Sequence, residues 1–169
     1  MAPEDKAPKV RHVVVATDPT DHGAVVGRVD GFAFPVGVPG GVGRTSPGPY
    51  PYDLLSASLA ACTAMTVRFH ARRRKFPLER IEVSVSFHHG AKGERDSFER
   101  TLVMEGELDA QQRAVLLQAA NLCPVCKVLG IGADIHTRPD TTTPRSNASA
   151  HASYEDDLAE LEIPNIDPD

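Results

Sequence analysis

The chain has 169 residues, 41% of them hydrophobic and 24% charged, which suits a globular domain of ordinary size and argues against a disordered one. No apolar run approaches the ~20 residues of a membrane helix, and no signal-peptide core stands near the start, so the cytoplasm is the expected compartment. A net charge of −5 argues against a nucleic-acid partner, which needs a clustered positive surface.

In chain order, residues 1–12 are charged and Pro-containing and read as a loose N-terminus. The body, 13–138, reads as about one domain. Val13–Ala16 and Val25–Val29 are short β-rich runs joined by a turn, and Phe32–Val36 reads as a third strand. Pro39-Gly40-Gly41-Val42-Gly43 is a connection. A long helix is expected from about Asp53 to Arg74, with Pro51 at its start and Pro77 beyond its end. Ile81, Val83, Val85 and Phe87 alternate with polar residues, as do Phe98, Leu102 and Met104, which predicts a hairpin across the polar linker 89–97. Asp109 with Gln112 three places on reads as a capping box opening a helix to about Leu122. A short helix is expected over Pro124–Leu129, ended by Gly130, and Ile131, Ala133 and Ile135 suggest a last strand. Strands first, then a helix, a hairpin, a helix and a strand point to an α+β fold. Residues 139–169 form a polar, then acidic tail. Seven acidic side chains lie within 155–169, so residues 1–154 alone carry about +2.

Three cysteines are too few for a secreted disulfide framework. Cys62 has Leu55, Ser58, Leu59, Met65, Thr66 and Phe69 as its helical neighbours, a mostly apolar stripe that turns it inward. Beside it Ala57, Ala60, Ala61 and Ala64 form a small-residue stripe. Cys123, followed by Pro124, reads as the N-cap of the short helix, where unpaired N–H groups and the helix dipole favour a thiolate. Cys126 completes Cys123-Pro124-Val125-Cys126, which also suits a dithiol redox motif or half a zinc site. Cys62 with His70 or His136 could complete such a site, but without pair spacing, so no metal is expected. The run Arg72–Lys75 reads as cations at a helix C-terminus, and His88-His89 as part of a hairpin end.

Two segments resemble the OsmC/Ohr family. Gly48-Pro49-Tyr50-Pro51-Tyr52-Asp53-Leu54-Leu55 leading to Ala60-Ala61-Cys62-Thr63-Ala64-Met65-Thr66 is similar to its first cysteine helix. Leu122-Cys123-Pro124-Val125 with Lys127-Val128-Leu129 is similar to its second cysteine motif. Phe76-Pro77-Leu78-Glu79 and Glu105-Gly106-Glu107-Leu108 resemble its connecting segments. The resemblance spans about 40–138. It implies an antiparallel sheet packed with a long central cysteine helix, in an intertwined homodimer. It also implies a cofactor-free peroxidase that reduces organic hydroperoxides and is restored by an external dithiol, with Cys62 the peroxidatic and Cys123 the resolving thiol. Tyr52 stands where Ohr-type members carry a glutamate. Asp53, one place later, matches the acidic position of a less characterised branch. Arg44 matches the arginine of OsmC-type proteins, and Arg28 more weakly that of the Ohr type. Two other readings follow from the residues: a ligand-binding or stress protein with unreactive thiols, and a dithiol or zinc protein built on Cys123 and Cys126.

Overall fold

A computed structural model describes residues 13–17, 25–29, 32–37 and 48–139. The segment 1–12, Arg44 and the tail beyond Pro139 lie outside the described residues. The described residues fall into two compact units, one running through Pro51 and the other spanning Tyr52–His136.

The first unit is an antiparallel sheet in the order β1 (Val14–Thr17), β2 (Val25–Val29), β3 (Phe32–Val36). The register sets Gly27 opposite Phe34, and the Phe34 ring fills the space a side chain at Gly27 would need. Pro35 cannot donate to a ladder, and it sits on β3, at the edge of this sheet.

The second unit opens with α1 (Pro51–Arg73). Asp53 in the first turn and Arg72 and Arg73 in the last complement the helix dipole. The helix closes in a Schellman turn. Phe76 N–H donates to the Ala71 carbonyl at 2.9 Å and Lys75 N–H to that of Arg72 at 3.1 Å, with Lys75 at φ 56°. Phe76 then turns back onto the core.

Strands β4 (Arg80–His88) and β5 (Ser97–Glu105) pair as a hairpin from Arg80 opposite Glu105 to His88 opposite Ser97. Their alternation puts Ile81, Val83, Val85, Phe87, Phe98, Leu102 and Met104 on the half-buried side. Next comes α2 (Ala110–Ala120), whose Asp109 and Gln112 form the expected reciprocal capping box. Leu108, Leu116 and Ala120 pack with Val67 and Ala71 of α1, over Ile81, Leu102 and Met104 of the hairpin.

Three expectations about the later elements need correction. The second helix stops at Ala120 rather than near Leu122, with Asn121 as its C-cap. Pro124 disfavours helical geometry in the residue before it, and Cys123 is accordingly extended at φ −52°, ψ 124°. The short helix α3 (Pro124–Ile131) runs through Gly130 and ends at Gly132, which takes φ 95°. That turn consumes Ile131, so the last strand does not form. Ile131 and Ile135 are 87% and 90% exposed, and residues 132–139 have no regular structure.

His70 is buried on α1, and its Nε2 is the buried side-chain polar atom that lacks a hydrogen-bond partner among the described residues. Burial, then the charges of Arg74 and Arg73, hold its pKa below the usual histidine value. Among the described residues no single helix is long and apolar enough to cross a membrane.

Gly106 has φ 127°, and a Cβ there would collide with the Pro77 carbonyl. Gly93 has φ 94° but open space around it. Gly106→Ala is expected to cost about 2–4 kcal/mol and Gly93→Ala about 1 kcal/mol, read from paired urea denaturation curves; equal costs would contradict the close approach.

Candidate functional site

The two cysteines that stand 61 positions apart meet inside the second unit. Cys62 is 4% exposed and Cys123 fully buried, and no disulfide joins any of the three cysteines. Cys62 points inward from the middle of α1, as its stripe implies, beside buried Leu59 and Thr66. Part of that stripe stays outside: Leu55 and Met65 are exposed. Thr66 donates its hydroxyl back to the Cys62 carbonyl at 2.8 Å.

Cys123 caps α3 by position, but its side chain makes no full capping hydrogen bond. Its pKa is pushed up to about 11. Burial is the main cause, and a hydrogen bond to the Cys62 sulfur comes next. The Cys126 N–H and the Thr63 hydroxyl pull the other way and are outweighed. The expected thiolate at the helix N-terminus is therefore corrected: a buried sulfur loses more by desolvation than a short helix returns. Cys126, half-buried one turn along, contributes its backbone N–H to this balance.

Arg100 completes the arrangement. From β5 its Nη1 donates to Thr63 Oγ1 at 2.8 Å and to the Ala120 carbonyl at 2.9 Å. Its Nη2 donates to Asn121 Oδ1 at 2.8 Å. All three acceptors are neutral. One guanidinium thus joins α1, the hairpin and the turn that carries Cys123. Sequence reasoning missed Arg100, Thr63 and Asn121. A signal was present, since Arg100 occupies the inward phase of β5 between Phe98 and Leu102, where a charge needs buried partners.

The other expected site residues separate. Asp53 and Tyr52 stand at the start of α1 and, with Ser56, Ala57 and Ala60, form one wall of a cleft of about 440 Å³. Val85 and Phe87 of β4 form the opposite wall. Tyr52 stacks on Phe87 with centroids 4.2 Å apart, and His89 meets both rings edge-on. Val85 lies directly opposite Arg100 in the hairpin register, which sets the cleft beside the Arg100 network. Two of the small residues on α1, Ala57 and Ala60, border this cleft. Arg28 is exposed on β2, and Arg44 lies outside the described residues. His88 and His89 lie 3.7 and 3.6 Å from Glu99 and Asp96, contacts that become ion pairs only when the imidazoles are protonated. No group of three or more His, Cys, Asp or Glu side chains among the described residues is placed to hold a metal ion.

A family model described as OsmC-like protein matches residues 43–138. Among solved structures, an OsmC-like protein from Mycoplasma pneumoniae gives a TM-score of 0.62 at 13% identity, over 73% of this chain and 89% of that one. The organic hydroperoxide resistance protein OhrB of Bacillus subtilis gives 0.51 at 24% identity, over 70% and 89%. An organic hydroperoxide resistance protein OsmC from Legionella pneumophila gives 0.52 at 21% identity, over 73% and 91%. At these identities the likeness is one of fold. No curated protein matches the sequence significantly.

The raised pKa of Cys123 has a measurable consequence. The unfolded thiol ionises near pH 9 and the folded one near 11, so the folded state holds the extra proton between them. Stability from this group is complete below pH 9 and is lost as pH rises through about 11. The stability advantage of the wild-type chain over Cys123→Ala should shrink by about 2–3 kcal/mol across that window, by urea denaturation at fixed pH; a constant difference would contradict it.

Proposed function

The chain belongs to the OsmC-like protein family, and we propose that it reduces organic hydroperoxides with Cys62 as peroxidatic and Cys123 as resolving thiol. The observation that carries this reading is that Cys62 and Cys123 are both buried and that Cys62 is a hydrogen-bonding neighbour of Cys123. The names of the similar Bacillus and Legionella structures support the substrate class.

The chemistry balances in two steps and a return. The Cys62 thiolate attacks one oxygen of the hydroperoxide, the O–O bond breaks, and the alkoxide leaves and takes a proton as the alcohol. Cys62 is then a sulfenic acid. The Cys123 thiolate attacks that sulfur, forming the disulfide and releasing hydroxide, which becomes water on protonation. An external dithiol reduces the disulfide by exchange and is itself oxidised. A reducing compartment such as the cytoplasm supplies that dithiol. Cys123, its pKa raised, stays protonated beside Cys62, which suits it to the resolving rather than the leading role.

The cleft walled by Tyr52 and Phe87 suits an apolar hydroperoxide, with Asp53 at its polar rim. Arg44 and Arg28 remain the arginines proposed by resemblance to steady a thiolate. The exposed Leu55 and Met65, on the helix that carries Cys62, support pairing of two copies as a homodimer with this helix central to it.

A second reading, unreactive thiols in a ligand-binding or stress protein, is favoured by the burial that raises the Cys123 pKa. The two part on one assay. Under the first, consumption of cumene hydroperoxide with a dithiol falls to background in Cys62→Ala. In Cys123→Ala a single turnover persists and leaves a dimedone-trappable sulfenic acid at Cys62. Mass spectrometry of the oxidised wild-type chain should find a Cys62–Cys123 bridge. Undiminished consumption by Cys62→Ala, or a Cys123–Cys126 bridge, would reject it.

A further inference from the structure

Arg100, Thr63 and Asn121 surround the second thiol without belonging to the two-cysteine exchange itself. The Thr63 hydroxyl oxygen accepts from Arg100 Nη1 at 2.8 Å. A hydroxyl that accepts from a cation still has one proton to place. Thr66, one turn along the helix, places its proton on the carbonyl four residues back. Thr63 instead has the Cys123 sulfur beside it. The same guanidinium holds the Ala120 carbonyl and Asn121 Oδ1, the end of α2 that leads into Cys123. Donor and acceptor are therefore held by one rigid planar group.

We propose that Arg100 is a positioning residue that, by occupying the Thr63 hydroxyl oxygen, turns the hydroxyl proton onto the Cys123 sulfur and readies this thiol for the resolving attack. The inference rests on Cys123 being the resolving thiol. Among the described residues, the groups facing Cys123 are Cys62 and Thr63 from α1 and the Cys126 N–H from its own helix, with Arg100 of β5 behind Thr63. While Cys62 is a thiolate, both its charge and its hydrogen bond oppose ionisation of Cys123. Conversion of Cys62 to a neutral sulfenic acid removes that charge. The Thr63 hydroxyl and the Cys126 N–H then act with less opposition, at the moment when a Cys123 thiolate is needed. Atoms and electrons move as in the resolving step above; the relay only supplies a hydrogen bond to the attacking anion.

The test separates this relay from the peroxidase reading. In a Cys62→Ala, Cys126→Ser background, the pH dependence of the Cys123 Cβ chemical shift reports its titration without any peroxide. Thr63→Val and Arg100→Met should each raise the midpoint, Thr63→Val by about one unit, a tenfold smaller thiolate fraction near neutral pH. Thr63→Ser should restore it. Thr63→Ala replaces valine if the valine variant does not fold. In the chain with all three cysteines, Thr63→Val should slow disulfide formation after one equivalent of cumene hydroperoxide about threefold, more than it slows sulfenic acid formation, and raised pH should recover the rate. Unshifted midpoints in both variants, or a Thr63→Ser chain shifted as far as Thr63→Val, overturn the relay even if the enzyme consumes hydroperoxide. Shifted midpoints in a chain that consumes none retain the hydrogen-bond relay and overturn its role in resolution together with the peroxidase reading.

Discussion

A partly buried guanidinium must find acceptors for its N–H groups, and Arg100 finds three, one on α1 and two at the end of α2. Thr63 belongs to α1, one residue past Cys62. Ala120 closes α2. Asn121 begins the turn to Cys123. The register of β5 against β4 therefore sets more than a sheet, because it delivers the group that fastens both cysteine-bearing segments. The hydrophobic contacts of Val67, Ala71, Leu116 and Ala120 bring α1 and α2 together, but apolar packing is non-directional. Directional bonds from one planar cation choose among packings that would bury similar area.

The environment this creates has opposing effects on a thiol. Burial disfavours charge at Cys123, and the adjacent Cys62 sulfur adds to that. The helix N-terminus and the Thr63 hydroxyl favour charge and lose. A resting Cys123 is thereby kept protonated and poorly nucleophilic beside Cys62. Cys126 does not share this setting. It is half-buried, and its backbone N–H is what reaches the Cys123 sulfur.

Much of the second unit was legible in the chain. Period-two alternation located β4 and β5 because one face of a hairpin must pack and the other meets water. Asp109 with Gln112 located the start of α2 because that pair satisfies orphan N–H groups locally. The last strand was misread for an equally local reason: alternation in Ile131–Ile135 looks the same whether or not a neighbour strand exists. Gly130 was the expected helix end, but the helix runs through it to Gly132, and only backbone geometry distinguishes a helical glycine from one at φ 95°.

The amino-acid pattern by itself determined the mixed α+β class, the inward direction of Cys62, the capping position of Cys123 and the family. Each of these depends on residues within a few turns of one another or on a matched motif. The meeting of the two sulfurs, the loss of thiolate character at Cys123 and the part taken by Arg100 were decided by tertiary structure alone. A pKa and a hydrogen-bond network depend on what lies across the fold, and those neighbours come from segments tens of residues apart.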